Sequence, residues 1–147
     1  MKLLPLAAAA VLASCTPGKS KIEAHDAWAR ATTSATQPAV VYLQIANSGS
    51  GGERLDVVAT DIGAASLHSS SMTGGVMRMR AINGVDIPAN STIKFEPMGN
   101  HIMVEGLRAP LAVGSSFPLT LRFRSSAPQT VTVQVRAGAE EMERHAH

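Results

Sequence analysis

The sequence predicts an all-β domain, a small β-sandwich or barrel, and three observations carry that reading. From residue 22 onward, short runs rich in Val, Leu, Ile and Thr alternate with Gly, Pro and Asn punctuation, at the spacing of strands and turns. No stretch sustains the apolar period of a long helix. The composition is 45% hydrophobic but only 3% aromatic, so the core has to be assembled from aliphatic side chains and Met, which suits sheets packed face to face. At 147 residues the chain has room for one such domain once its ends are set aside.

The chain begins with Met1-Lys2 and the apolar run Leu3 to Ala13, the charged start and short hydrophobic stretch of an export signal, too short to span a bilayer. The run closes on Leu12-Ala13-Ser14-Cys15, which resembles the bacterial lipobox, in which the cysteine is lipidated and becomes the first residue of the mature chain. Residues 1–14 are therefore expected to be a lipoprotein signal peptide, and 15–21 a lipid anchor at Cys15 with a solvated tether. The alternative is a plain signal peptide with an incidental cysteine. Either way the protein is exported, and with the anchor it is held on the periplasmic side of a bacterial membrane.

Within the domain, expected at 22–137, strands are predicted near 22–30, 39–46, 54–60, 65–70, 76–82, 91–96, 101–105, 117–124 and 129–136. Asn47-Ser48-Gly49-Ser50-Gly51-Gly52 reads as a flexible turn, and Asn83-Gly84 as a tight turn with positive φ angles. A helical turn is expected around Asp61 to Ala65. Residues 138–147 lose strand patterning, become charged, and carry Met142, His145 and His147, as a flexible tail does. Two readings of that tail stand: incidental histidines on a solvated end, or capture of Cu(II).

Several function classes drop out. The formal net charge is +2 and the thirteen Lys and Arg residues are scattered, so no basic block tracks a nucleic-acid backbone. Cys15 is the only cysteine. The folded domain thus has no thiol for a disulfide, a Zn-thiolate site or a nucleophile, nor the Cys-plus-two-His set of a blue-copper centre. No Ser, His and Asp roles of a hydrolase and no paired carboxylates stand out, so the protein is expected not to be an enzyme.

The residues that carry chemistry lie on three predicted strands. Alternation along His101-Ile102-Met103-Val104 puts Ile102 and Val104 on one face and His101 with Met103 on the other. Residues two apart on a strand are ~7 Å apart at the backbone, a gap that an imidazole and a thioether can bridge to share an ion. On Val76-Met77-Arg78-Met79-Arg80 the two Met share one face and the two Arg the other, and His68 lies one short connection upstream. Thioether sulfur is soft and uncharged, a good partner for Cu(I) and a poor one for Zn(II), Mg(II) or Ca(II). Two Met with two His therefore point to copper(I).

The spacing His68-x10-Met79-x21-His101-x-Met103 resembles the signature of the periplasmic CuA-chaperone (PCuAC) family. The resemblance extends from Ala27-Trp28-Ala29-Arg30 through Gly74-Gly75-Val76-Met77-Arg78-Met79-Arg80 to Leu107, Pro110-Leu111 and Leu119-Thr120-Leu121. It implies a cupredoxin-like (immunoglobulin-like) β-sandwich with a Cu(I) site near solvent, held by His68, Met79, His101 and Met103. It also implies copper delivery to the CuA site of cytochrome c oxidase subunit II, alongside a Sco-type copper/thiol protein. The chain departs from the pattern twice. Ser69 follows His68 where many relatives have Met, which removes an auxiliary ligand. Pro97-Met98-Gly99-Asn100 replaces the commoner Pro-Gly-Gly-x, which supplies one, Met98.

The remaining candidates have ordinary readings. Met77 reads as apolar packing beside the site, with contact to the metal as the alternative; Trp28 as a core anchor, with a place near the site as the alternative; His25 as a surface residue; and Arg78 with Arg80 as a solvated face, with steering of an acidic partner as the alternative. The competing function is a non-metal β-sandwich binding module of the envelope, for which the four donors are dispensable.

Overall fold

The computed structural model describes residues 18–138, and Cys15, Met142, His145 and His147 lie outside them. The described chain forms ten strands: β1 Ile22–Arg30, β2 Ala39–Asn47, β3 Glu53–Thr60, β4 Ala64–Thr73, β5 Val76–Ala81, β6 Val85–Ile87, β7 Ser91–Phe95, β8 Asn100–Glu105, β9 Ser116–Phe123 and β10 Gln129–Arg136. The chain is all-β. The helical turn expected at 61–65 does not form; Asp61, Ile62 and Gly63 bend the chain and β4 starts at Ala64. Gly63 lies so close to the Glu105 carbonyl that a Cβ there would fall 2.5 Å from its oxygen, so the bend is pressed flat against the end of β8.

Hydrogen bonding links nine strands in the order β5-β4-β8-β2-β1-β10-β9-β3-β6, with β7 pairing β2 beside β8. All the contacts are antiparallel except β1 with β10. The path rolls around one aliphatic core, in which Val41, Leu43, Ile45, Leu55, Ile87, Ile102, Leu119, Leu121 and Val133 are fully buried. Each comes from the inward face of an alternating strand, the arrangement that gives a sandwich its two-layer interior. Phe95, Phe117 and Phe123 join this core, but Trp28, expected there, does not. It sits half-buried beside Tyr42 at 4.8 Å between ring centroids, with the Arg136 guanidinium 5.4 Å over its ring.

One strand contributes nothing to the core. Every residue from Ser71 to Ala81 is exposed, so the outer half of β4 and all of β5 stand off the body as a two-stranded ribbon. Its tip is the two-residue turn Gly74-Gly75, with φ of 58° and 78°, between the paired residues Thr73 and Val76. Positive φ at both positions is the geometry that matches the right-handed twist of a hairpin, and glycine adopts it without steric cost. Asn83-Gly84, expected as such a turn, instead carries the chain from β5 at one end of the strand path to β6 at the other.

The segment before β1, expected to be free tether, is docked. Ser48 N donates to Lys21 O (3.0 Å) and Gly51 N to Lys19 O (3.2 Å). Ser20 Oγ donates to Glu53 (3.2 Å). The buried Glu53 carboxylate also accepts from the Arg54, Ser125 and Ser126 amides and from Ser126 Oγ at 2.6 Å. Burial alone would push this carboxyl up, but the Ser126 hydroxyl and the three amides outweigh it and hold its pKa at about 2. A carboxyl depressed on folding stabilises the fold above its unfolded value, and that stability is lost as pH falls through the folded one. Glu53→Gln is therefore expected to lower the neutral-pH unfolding free energy by about 2 kcal/mol, with the gap to wild type closing between about pH 4.5 and about pH 2. Urea unfolding at stepped pH checks it; a gap that stays constant across that interval excludes the carboxylate as its source.

Candidate metal centre

The site is built by register. In the β4–β8 ladder His68 lies directly opposite His101 and Ser66 opposite Met103. In the β4–β5 ladder Ser70 lies opposite Met79 and Met72 opposite Met77. Directly opposed residues share a sheet face, as do residues two apart on one strand. Hence His68, His101, Met79 and Met103 all stand on one face of the three strands, while Leu67, Ile102 and Val104 point the other way into the core. His68 is central: His101 is its direct neighbour, and Met79 and Met103 are its diagonal neighbours on either side. Serine occupies the positions opposite both thioethers, Ser70 opposite Met79 and Ser66 opposite Met103, so small side chains flank them on this face.

The two imidazoles lie nearly parallel, with centroids 5.7 Å apart and 22° between planes. His68 is partly exposed and its Nε2 is 2.9 Å from Ser66 Oγ. His101 is 3% exposed. Its Nδ1 lies 3.3 Å from the Gly99 carbonyl oxygen, an atom that only accepts, so Nδ1 is the donor of that contact and Nε2 is the nitrogen that a neutral ring leaves with a free lone pair. Among the described residues that buried Nε2 has no hydrogen-bond partner. A buried acceptor without a donor costs about 1–3 kcal/mol. A ring nitrogen freed by a backbone carbonyl on its partner nitrogen is the usual arrangement of a histidine that ligates metal.

Continuing the β8–β2 register, in which Val40 opposes Met103 and Val41 opposes Ile102, brings Tyr42 level with His101. Trp28 is paired with Tyr42 in turn. The row His68, His101, Tyr42, Trp28 thus crosses four strands, and Trp28 belongs to the flank of the site rather than to the core. Met77, expected to pack, is 46% exposed on the same face as Met79. Met98 occupies the turn before β8, 61% exposed with φ 71°, and the turn is docked on β4 by Ser70 N donating to Gly99 O at 3.0 Å. Arg78 and Arg80 lie exposed on the opposite face of β5, and His25 is a surface residue beside Asp26. Among the described residues no group of three His, Cys, Asp or Glu side chains is placed to hold a metal ion. Sequence reading missed Ser66, Gly99 and Met72. Two-residue alternation from His68 would have found Ser66 and Met72, whereas Gly99 acts through its backbone and has no side-chain signal.

Three sets of relatives bear on this geometry. The family model described as "Putative lipoprotein LpqE-like" matches residues 22–135. The "Putative lipoprotein Lxx21020" of Leifsonia xyli subsp. xyli is 38% identical over 133 residues, covering 86% of this chain and 78% of that protein. Among solved structures, the copper-bound PCuAC domain from PmoF2 superposes with a TM-score of 0.66 at 23% identity, over 80% of this chain and 94% of that one. Apo-DR1885 from Deinococcus radiodurans gives 0.61 at 23%, over 95% and 96%. At these identities the structural likeness establishes the fold, which is that of PCuAC domains.

Proposed function

The chain belongs to the LpqE-like lipoprotein family, and from that membership and the face shared by β4, β5 and β8 we propose that it is a lipid-anchored copper(I) carrier of the cell envelope. One observation carries the reading: the buried, unpartnered Nε2 of His101 directly beside His68, flanked by Met79 and Met103. His68, Met79, His101 and Met103 hold one Cu(I), and none of the four carries a negative charge. A neutral ligand set suits a carrier, since the ion leaves by stepwise exchange to a thiolate acceptor without stranding a charged group. Two solved relatives of this fold are described as copper-bound or Cu(I)-bound, which supports the choice of cargo. The recipients are a Sco-type thiol protein and the CuA site of cytochrome c oxidase subunit II. The protein acts without turnover, as a carrier and not an enzyme.

Anaerobic competition for Cu(I) against a chromogenic chelator tests the site. One tightly held equivalent is expected, unaffected when the chain is cut after Ala137, and strongly weakened in Met79→Ala. Wild-type affinity in that variant would instead favour the non-metal sandwich module.

Anchorage is tested separately. Cys15→Ala is expected to move the protein from the membrane fraction to the soluble fraction of lysed cells, as loss of a diacyl anchor does. Unchanged membrane association counts against lipidation at Cys15.

A further inference from the structure

The structure contains five methionines among its described residues, and four of them, Met72, Met77, Met79 and Met98, are between 46% and 61% exposed. Methionine is a hydrophobe that ordinarily fills gaps in cores, so exposed methionines gathered at one end of the fold are not explained by packing. Three lie on one face of the ribbon: Met72 directly opposite Met77, and Met79 two residues along from Met77. Directly opposed Cβ atoms are about 4.5–5.5 Å apart, close enough for two flexible thioethers to bracket one ion. The fourth, Met98, holds a left-handed backbone that costs a side-chain-bearing residue roughly 1–2 kcal/mol over glycine. The turn that carries it is docked on β4 at Ser70, two residues from Met72. A bulky thioether kept at that cost and 61% exposed points to a role for the sulfur itself.

We infer that Met72 and Met77 form a second, outer site for Cu(I) at the ribbon tip, sharing Met79 with the inner site and passing the ion to it. This rests on the copper reading above. The outer site has only thioethers, soft but weak donors, whereas the inner site adds two imidazoles, one of them buried with a free nitrogen. Affinity therefore rises from tip to body along one sheet face. Met79 belongs to both donor sets, so the ion need never be fully released between them. No charge is created or lost in the transfer, since each step exchanges one neutral ligand for another. The exposure of the tip places the outer site where a donor complex or an acceptor can reach it, while His101 is out of reach.

The experiment is a titration of the full chain in detergent, carrying methyl-labelled methionine, with Ag(I) as a redox-stable stand-in for Cu(I). The Met79 and Met103 methyl resonances are expected to shift over the first equivalent, and those of Met72 and Met77 over a second, weaker one. Met142 reports any tail binding through its own signal. The double substitution Met72→Leu and Met77→Leu keeps apolar bulk and removes the sulfur. It should abolish the second phase, leave inner-site affinity within about threefold, and slow loading from a small-molecule Cu(I) complex severalfold. Met72 and Met77 methyls that stay unmoved at excess metal, or a double variant that loads as fast as wild type, overturns the outer site. If the Met79 and Met103 signals also fail to move, the copper reading falls with it.

Discussion

Replacing His101 by leucine is expected to leave the metal-free protein at least as stable as wild type while lowering its Cu(I) affinity by more than about 100-fold. The two halves have opposite signs because the same atom governs both. In the metal-free protein the ring is 3% exposed and its Nε2 has no partner among the described residues, so the fold bears the desolvation of a bare acceptor, about 1–3 kcal/mol. Leucine fills similar apolar volume between the neighbouring strands and carries no polar atom, so that penalty disappears with the ring, as does the modest bond from Nδ1 to Gly99 O. Removing groups that merely orient a metal ligand costs 10–100-fold in affinity, and removing a direct ligand has to exceed that range, which in free energy is more than about 2.7 kcal/mol. Chelator competition and urea unfolding of the same preparation read the two effects. Copper binding within a few-fold of wild type would mean that His101 does not ligate. A large loss of apo stability would mean that Nε2 has a partner, such as a buried water, and that its free lone pair is not the basis of the site.

How much of this was legible beforehand depends on which interactions are local. Period-two alternation located nine strands within a few residues, because each reads its own burial from its own side chains. β6 was missed: Val85–Ile87 offers only three residues after a Gly breaker, too few for any period to declare itself. The shared face of His101 and Met103 was visible because alternation on one strand is local. The opposition of His68 to His101 was not, since it follows from β4 pairing with β8 across 33 residues of chain. Met77 shows the limit of pattern reading. The alternation of Met and Arg along β5 looks like a buried face and a wet one, yet the ribbon extends past the core and neither face is covered. The supposedly flexible run from Asn47 to Gly52 misled for a similar reason, since its glycines are there for close approach. A Cβ on Gly51 would fall 1.8 Å from Gly18 O, and one on Gly49 2.2 Å from Lys19 O.

That turn depends on one side chain, and Asn47→Ala is expected to cost about 3 kcal/mol or more, a large share of the roughly 5–15 kcal/mol that holds a domain together. Asn47 is 1% exposed at the end of β2. Its Oδ1 accepts from Lys21 N and Gly49 N, both at 3.0 Å. Its Nδ2 donates to Gly51 O at 2.8 Å, with Ile87 O and Pro88 O at 3.3 and 3.2 Å. One amide thus ties the docked segment before β1, the glycine turn and the end of β6, and alanine removes the partner of the Lys21 and Gly49 amides and of the Gly51 carbonyl, while Pro88 O keeps its bond from Ser91 Oγ at 2.6 Å. Asn47→Asp sharpens the test. It keeps the acceptor for Lys21 and Gly49 but sets a carboxylate against three carbonyl oxygens, so it is expected to be worse than alanine at neutral pH. The introduced carboxyl has its pKa raised by that repulsion, so stability is retained below its unfolded value and lost as pH rises through the folded one. Midpoints of urea unfolding from pH 4 to 8 should therefore fall with rising pH in Asn47→Asp relative to Asn47→Ala. Cu(I) affinity of the folded fraction should stay at the wild-type level in both, because Asn47 is at the far end of β2 from the residues that pair with β8. A variant that loses copper before it unfolds would show instead that the turn and the site are one cooperative unit.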